Sequence, residues 1–293
     1  MTSLLLTPIA LLRRHVVRPV VAPLGLRAPS PLAGRRVLIT GASSGIGEAT
    51  AYAVAQRGAR LVLVARRADE LKRVVAAIEE AGGEAEAHVV DLTDGAAVDA
   101  MIAEVLEGGP VDYLVNNAGR SIRRSLELSY DRMHDFERTM AINYFGPVRL
   151  ILGLLPAMRE QGFGHVVNVV TWGVQIKAPK FAAYIASKTA LDSFARIAGR
   201  EAWKDNVTFT NIRLSLVRTV MVAPTEAYAK ARAESPEQAA AKIVRALEDR
   251  PLTVNTVAAS VVEVLNLTAP RFTDFAFAAF DKRFPDSAAA RKS

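Results

Sequence analysis

Arg36-Val-Leu-Ile-Thr-Gly-Ala-Ser-Ser-Gly-Ile-Gly47 decides the fold. Its first five residues form a short apolar run of the length of a buried strand. Gly41, Gly45 and Gly47 follow at G-x3-G-x-G spacing, and a helical stretch then runs to about Arg57. A strand, a glycine turn and a helix in that order make a docking place for a nucleotide pyrophosphate. Glycines let the backbone approach the phosphates, and the helix N-terminus supplies N–H groups and partial positive charge. The spacing is not the more usual G-x-G-x-x-G, and a glycine pattern alone is weak evidence; the flanking strand and helix give it weight.

Outward from this stretch the chain alternates. Arg60–Ala65 reads as a second strand, followed by a helix from about Ala68 to Ala81 that ends at Gly82-Gly83, as glycine caps do. Glu86–Val90 and Val111–Val115 read as strands three and four, with a helix between them. His165–Val170 is strand five and Val207–Leu214 strand six, with long helical stretches near Asn143–Glu160 and Phe181–Trp203. Such alternation predicts an α/β fold: a Rossmann-like, doubly wound parallel sheet with helices on both faces, in a single domain spanning residues 34–293.

Residues 1–33 stand apart. They contain Arg13, Arg14, Arg18 and Arg27 but no acid, and five prolines interrupt them. No apolar run there approaches the ~20 residues that span a bilayer. The charges follow the first apolar run rather than precede it, which makes a poor secretory signal. The reading is a basic, apolar extension suited to an anionic membrane surface, with a tail packed on the domain as the alternative. The expected location is the cytoplasm, peripheral to the membrane if that extension binds it.

With 293 residues, half of them hydrophobic, the chain can bury a sizeable core. It has no cysteine, which removes disulfides, thiolate nucleophiles and Cys-based metal sites. The four histidines are scattered without ligand spacing, so no metal is expected. The net charge of +7 permits an anionic partner. No zinc-finger spacing or aromatic-interleaved basic patch points to nucleic acid.

The end of strand two bears on which nucleotide binds. An acid there would bond the ribose 2′-hydroxyl of NAD, whereas a cation suits the 2′-phosphate of NADP. This chain has Ala65-Arg66-Arg67 and no acid before Asp69, so NADP(H) is expected over NAD, with Arg66 at the phosphate. Further along, Tyr184 and Lys188 lie four apart and share a helix face. A lysine ammonium beside a phenol pulls its pKa from ~10 toward neutrality. The pair is a candidate proton donor with its tuning charge.

Together, Thr40-Gly-Ala-Ser-Ser-Gly-Ile-Gly47, Asp91, Asn116-Asn-Ala-Gly119, Asn143 and Tyr184-x-x-x-Lys188 resemble the short-chain dehydrogenase/reductase family in order and spacing over about residues 34–220. The resemblance implies that Gly41, Ser43, Ser44, Gly45, Ile46 and Gly47 cradle the cofactor. It places Asp91 and Leu92 at the adenine, Asn117, Ala118 and Gly119 along the cofactor, and Thr219 at the nicotinamide carboxamide. Tyr184 would be the proton donor or acceptor. Lys188 would bind the nicotinamide ribose, and Asn143 would hold a proton-relaying water. Where the family carries serine, thirteen residues before the tyrosine, this chain has Thr171, whose hydroxyl can bond a substrate carbonyl, with Trp172 adding bulk beside it.

A narrower likeness is carried by residues 116–124, by His134–Met140, by Asn143-Tyr-Phe-Gly146 and Leu216-Val-Arg-Thr219, by Met221–Thr225 and by residues 284–290. They look like bacterial fatty acyl-coenzyme A reductases. That implies a lipophilic carbonyl substrate, best matched by a long-chain acyl-coenzyme A reduced to an aldehyde. Alternatives are oxidoreduction of a ketone or secondary alcohol, and a catalytically weak NADP(H)-binding regulator. Arg120, Arg123 and Arg124 are candidates for the coenzyme A phosphates. Val257–Leu267 and Phe272–Phe280 read as helices. Phe272, Phe275, Phe277 and Phe280 spread over about half of the second one at ~100° per residue, as a wall for an acyl chain or a membrane contact would. Residues 220–234 would cover the substrate, and the helical stretches at 143–160 and 181–203 would pair in a homo-oligomer.

Overall fold

A computed structural model describes residues 30–222, 231, 233–281, 285–287 and 290–291. The expected extension therefore lies, up to residue 29, outside the described residues, as do 223–230 of the stretch expected to cover the substrate.

The strands are β1 (Arg36–Thr40), β2 (Arg60–Ala65), β3 (Glu84–Val89), β4 (Tyr113–Asn116), β5 (Gly164–Thr171), β6 (Val207–Leu214) and β7 (Thr253–Val254). All pair in parallel, in the order β3-β2-β1-β4-β5-β6-β7. The order reverses between β1 and β4, so the carboxyl ends of these two strands diverge into a crevice where such sheets bind ligands. The central strands are buried along their length, save for half-buried Thr171 at the end of β5, as a sheet covered on both faces requires.

The helices are α1 (Gly45–Ala55), α2 (Ala68–Glu80), α3 (Gly95–Glu107), α4 (Met133–Met140), α5 (Gly146–Glu160), α6 (Gly173–Ile176), α7 (Ala182–Glu201), α8 (Pro236–Asp249), α9 (Val257–Thr268) and α10 (Pro270–Asp281). Two cores result. One holds Val37, Ile39, Leu61 and Leu63 of the sheet with Val54, Ile78, Ile243 and Leu247 of helices. The other holds Leu38, Val62 and Leu114 with Val98, Leu150, Leu154 and Leu191. Strand residues of opposite parity feed opposite cores, as the period of two demands.

Several boundaries differ from the reading of the sequence. The helical stretch placed near Asn143–Glu160 begins at Met133 and runs through a π-turn, Ala141–Phe145. By length and composition the whole helix could cross a membrane. Its inner side, however, packs into the protein, with Leu150, Ile151, Leu154 and Met158 fully buried. Strand three starts two residues earlier than expected, because at the sheet edge its side chains are exposed or half-buried and offer no clean apolar run. Strand four lies two residues later at its start. A seventh strand of two residues was not foreseen. Nor was α8, although Ser235 caps its N-terminus and Gln238 returns the bond in a capping box with Pro236 at the first position.

Candidate active site

Three glycines set the floor of the crevice. Gly41 and Gly45 hold φ of +67° and +57°, a region that side chains disfavour. Gly47 has an ordinary φ but no room: a Cβ there would stand 2.1 Å from the Gly41 carbonyl oxygen. The turn leads into α1, whose N-cap Ser44 makes no side-chain capping bond, leaving first-turn N–H groups to an incoming anion.

The opposite edge of the floor is tied to β4. Asn117 donates from its backbone to Thr40 Oγ1 at 3.0 Å and from Nδ2 to the Thr40 carbonyl at 3.0 Å; Ala118 N–H reaches the same Oγ1 at 3.0 Å. Thr40, in turn, donates to the Val115 carbonyl. The Thr40 hydroxyl and the Asn117 amide together fix the separation of the two diverging strands.

Beyond β2, the two arginines divide. Arg67 Nη2 donates to Ser43 Oγ at 3.2 Å and lies against the glycine turn. Arg66 is exposed and pairs loosely with Asp91 at 3.5 Å. Burial would raise the Asp91 pKa, but bonds from Thr93 N–H and hydroxyl, with the Arg66 charge, hold it below the usual value. The basic end of the crevice is therefore built from two cations and Ser43, one more cation than the expected site contains.

The remaining groups gather where β5 meets α7. Thr171 ends β5, and its Oγ1 accepts from Gly173 N–H at 3.1 Å, so the hydroxyl hydrogen is free to donate elsewhere. Tyr184 lies in the first turn of α7, its ring tilted against Phe181 at 6.4 Å. Lys188, one turn on, is 4% exposed and donates Nζ to the Val169 carbonyl at 2.9 Å. Burial pushes its pKa down to about 8. A Cβ on Gly119 would sit 3.3 Å from Lys188 Nζ and 2.9 Å from Asn143 Oδ1, so only glycine lets the loop after β4 pass this close.

Asn143 is fully buried in the π-turn, a feature that recurs at functional positions. It grips Arg120 twice: Nδ2 donates to the Arg120 carbonyl and Oδ1 accepts from Arg120 N–H, both at 2.8 Å. Asn143 Nδ2 also donates to Ser187 Oγ at 2.9 Å, and Ser187 donates to the Tyr184 carbonyl at 2.7 Å. Ser187 is fully buried and was missed, though it lies inside the Tyr184-Ile-Ala-Ser-Lys188 stretch.

These groups share one cleft of about 850 Å³. Every residue expected to hold a dinucleotide or act on a substrate lines it, except Gly47, Asp91 and Asn143. Gly47 lies under the floor, Asp91 at the rim and Asn143 behind the wall. Arg67, Arg120 and Arg123 add cations to the lining, and much of the rest is apolar. Trp172, Phe181, Val220, Met221, Phe277 and Phe280 surround the far end. Of the four phenylalanines of α10, Phe277 and Phe280 face the cleft, while Phe272 and Phe275 point to solvent at 62% and 75% exposure. Lys180 Nζ bonds Asp281 and holds the end of α10 beside the turn that leads to Tyr184.

The three arginines after β4 also separate. Arg124 is buried and pairs with Asp135, which also pairs with Arg132 and Arg138. Burial would raise the Asp135 pKa, but these cations hold it low. Arg124 is thus a structural cation, and its place among the phosphate candidates is withdrawn on this geometry. Arg123 lines the cleft and donates to the Pro285 carbonyl at 3.0 Å. Arg120 lines the cleft too, and no ion pair to it is found among the described residues. Desolvation, with Arg138 and Arg66 nearby, lowers its pKa.

Residues 35–230 match the short chain dehydrogenase family. An uncharacterized oxidoreductase of Mycobacterium tuberculosis is 47% identical over 264 residues, covering 89% of this chain and 77% of that protein. A fatty acyl-CoA reductase of Acinetobacter baylyi is 45% identical over 258 residues, covering 88% of each. Among solved structures, a metagenomic short-chain oxidoreductase in complex with NADP superposes with a TM-score of 0.66 at 30% identity, covering 77% of this chain and 97% of that one. Crevice, glycine floor and Tyr–Lys helix thus recur in a chain that belongs to the short-chain dehydrogenase/reductase family of oxidoreductases and, within it, is similar to bacterial fatty acyl-CoA reductases.

Proposed function

We propose that this protein uses NADPH to reduce the thioester carbonyl of a long-chain acyl-coenzyme A to a fatty aldehyde. The observation that carries the reading is a cleft that is polar and cationic at the glycine turn and apolar around Trp172, Phe277 and Phe280, with Tyr184 and Thr171 between. The similarity to the Acinetobacter reductase supports the same substrate class.

The glycine floor fits a dinucleotide, because Gly41 and Gly45 line the cleft in a backbone conformation that side chains disfavour, and a Cβ on Gly45 would stand 3.3 Å from Thr219, which lines the same cleft. Gly41, Ser43, Ser44, Gly45 and Ile46 would hold the pyrophosphate, Asp91 and Leu92 the adenine, and Asn117, Ala118 and Gly119 the middle. Thr219 and Lys188 would hold the nicotinamide end. When bound, NADPH supplies the hydride. Tyr184 and Thr171 hydroxyls would bond the carbonyl oxygen, and Tyr184 would pass its proton to that oxygen as charge develops. Lys188 would stabilise the phenolate left behind, and Asn143 would hold a relay water beside it. The resulting hemithioacetal then loses its C–S bond, its hydroxyl proton goes to the departing sulfur, and a proton from solvent restores Tyr184, so one hydride and one proton account for aldehyde and coenzyme A thiol.

Arg66, Arg67 and Ser43 form a pocket for the 2′-phosphate, which supports NADP(H) over NAD. A charge-assisted bond is worth ~1.5–3 kcal/mol, or roughly 10–100-fold in affinity. Arg66→Asp should weaken NADPH binding by at least that factor and leave NADH binding nearly unchanged; equal losses would refute the assignment.

Arg120 is the best-placed cation for the coenzyme A phosphates, since its backbone is locked by Asn143 and no acid holds its side chain among the described residues. Arg120→Gln should raise the KM for acyl-coenzyme A by ~10-fold. The KM for the same acyl group on N-acetylcysteamine, which carries no phosphate, should not change.

Residues 34–293 would be the reductase domain, with the helices beyond about 220 shaping the substrate end, and residues 1–33 a basic extension. Exposed Phe145, Leu152 and Ile197 on the outer sides of α5, α7 and the π-turn support pairing into a homo-oligomer. The deciding experiment incubates purified protein with NADPH and long-chain acyl-coenzyme A. Aldehyde and free coenzyme A in equal amounts are expected. NADPH consumed only with ketones would overturn the reading.

A further inference from the structure

The last two helices are turned with their apolar sides outward. On α9, Val257, Val261, Val264 and Leu267 are 83%, 54%, 58% and 80% exposed. At ~100° per residue they fall within about a third of the circumference. The opposite side carries Ala259, which is buried, and Asn266, while Glu263, the one charged residue of the helix, borders the apolar arc beside Leu267. Glu263 accepts from the buried Gln175 at 2.7 Å and stands 3.8 Å from Arg213, while Asn266 donates to the Gln175 carbonyl. The polar side of α9 is thus spent on the protein, and its apolar side on solvent.

On α10 the same inversion holds. Phe272 and Phe275 point outward, Thr273 is buried, and Asp281 is held by Lys180. Phe280 is 56% exposed and also lines the cleft, so the outer apolar face continues into the cleft wall. Among the described residues nothing covers this face, and soluble domains rarely leave so extended an apolar face bare. Among the described residues, the charges beside it include exposed Lys177, at the end of the turn on which α9 packs, Arg271 and Asp274, and the Glu263 carboxylate, 40% exposed.

We infer that the α9–α10 face docks on an anionic lipid surface and sets the apolar end of the cleft against the membrane. A face with large aliphatic and aromatic side chains, with Lys177 and Arg271 beside it, on a chain of net charge +7, complements an anionic bilayer. Continuity with the cleft wall favours lipid over a protein partner, because a lipophilic substrate would pass between membrane and cleft along Phe280. The face is separate from the α5–α7 side, where Leu152 and Ile197 are exposed. The inference concerns this surface and does not rest on acyl-coenzyme A being the substrate.

The test is flotation of the full-length protein with vesicles of phosphatidylcholine, alone or mixed with phosphatidylglycerol. Wild type should bind the mixed vesicles. Val264→Glu/Phe275→Glu should bind them at least ~10-fold more weakly while keeping its thermal transition, since both side chains are exposed. A companion variant with Arg13, Arg14, Arg18 and Arg27 changed to Gln reads the contribution of the extension. Unchanged binding of the helix variant, with binding lost only in the arginine variant, overturns the inference. So does a wild type that ignores vesicles but falls to a smaller species, by light scattering, when the helix face is charged; that result would make the face a self-interface.

Discussion

Tyr184→Phe is expected to lower kcat by ~10²–10⁴-fold, the usual span for losing a positioned general acid, while NADPH binds as before. The substitution removes one oxygen from a ring that stays packed against Phe181. It leaves Thr171 to bond the carbonyl, but a threonine hydroxyl cannot take the proton-transfer role at neutral pH. Stopped-flow binding and steady-state rates with the same substrate separate the two effects. Unimpaired turnover would remove Tyr184 from the chemistry. The companion measurement is pH dependence. Lys188 loses its proton as pH rises through about 8 in the free enzyme. The kcat/KM for NADPH should therefore fall above that pH, and Lys188→Arg, which stays charged, should lack the limb. Stability moves the other way. Between about 8 and 10.5 the unfolded chain holds a proton that the folded chain has released, so this group favours folding more as pH rises.

Gly47→Ala should be the most damaging single methyl in the molecule. Its Cβ would stand 2.1 Å from Gly41 O and 2.6 Å from Asn117 Nδ2, and two of its three nearest neighbours are backbone atoms with nowhere to go. Opening the turn breaks the bonds from Asn117 to Thr40 and Gly41 that set the crevice width. An overpacking cost of ~2–4 kcal/mol is expected, with a fall in Tm of roughly 5–10 °C. NADPH affinity should fall further than stability, because the distorted atoms are those that would face the pyrophosphate. Gly82→Ala is the contrasting case. It has φ of +80° but open space around it, so it should cost only about 1 kcal/mol and leave cofactor binding intact. Similar losses at both glycines would mean that the turn yields to the added methyl and that crowding is not the dominant cost at Gly47.

Much of this molecule was legible because its central strands are buried on both faces and read as apolar runs, and because glycine marks the one turn that must be narrow. Parts that were not legible share a cause: their inward sides are polar. The α4 segment, Met-His-Asp-Phe-Glu-Arg-Thr-Met, buries Asp135 and Thr139 rather than a hydrophobic stripe, so its periodicity is invisible. Ser187 does its bonding from a buried position that composition does not distinguish from a neighbour's. The split between Arg66 and Arg67, and that among Arg120, Arg123 and Arg124, depends on which acids and carbonyls arrive from distant segments. Asp135 and Pro285 are such arrivals. The cap of α8, by contrast, was written in Ser235-Pro236-Glu237-Gln238 and could have been found.

The π-turn at Ala141–Phe145 fixes more than the position of one asparagine. Gly146 N–H reaches back five residues to Ala141, so this turn holds one residue more than its neighbours. Each residue rotates a helix by ~100°, and the extra one re-phases everything after it relative to everything before it. The first half can then aim Asp135 at its arginines while the second half aims Leu150 and Leu154 into the sheet. Met133–Glu160 is therefore a single unit of inheritance. Its exposed positions tolerate exchange, but its two halves cannot gain or lose a residue between them without turning one half away from its neighbours.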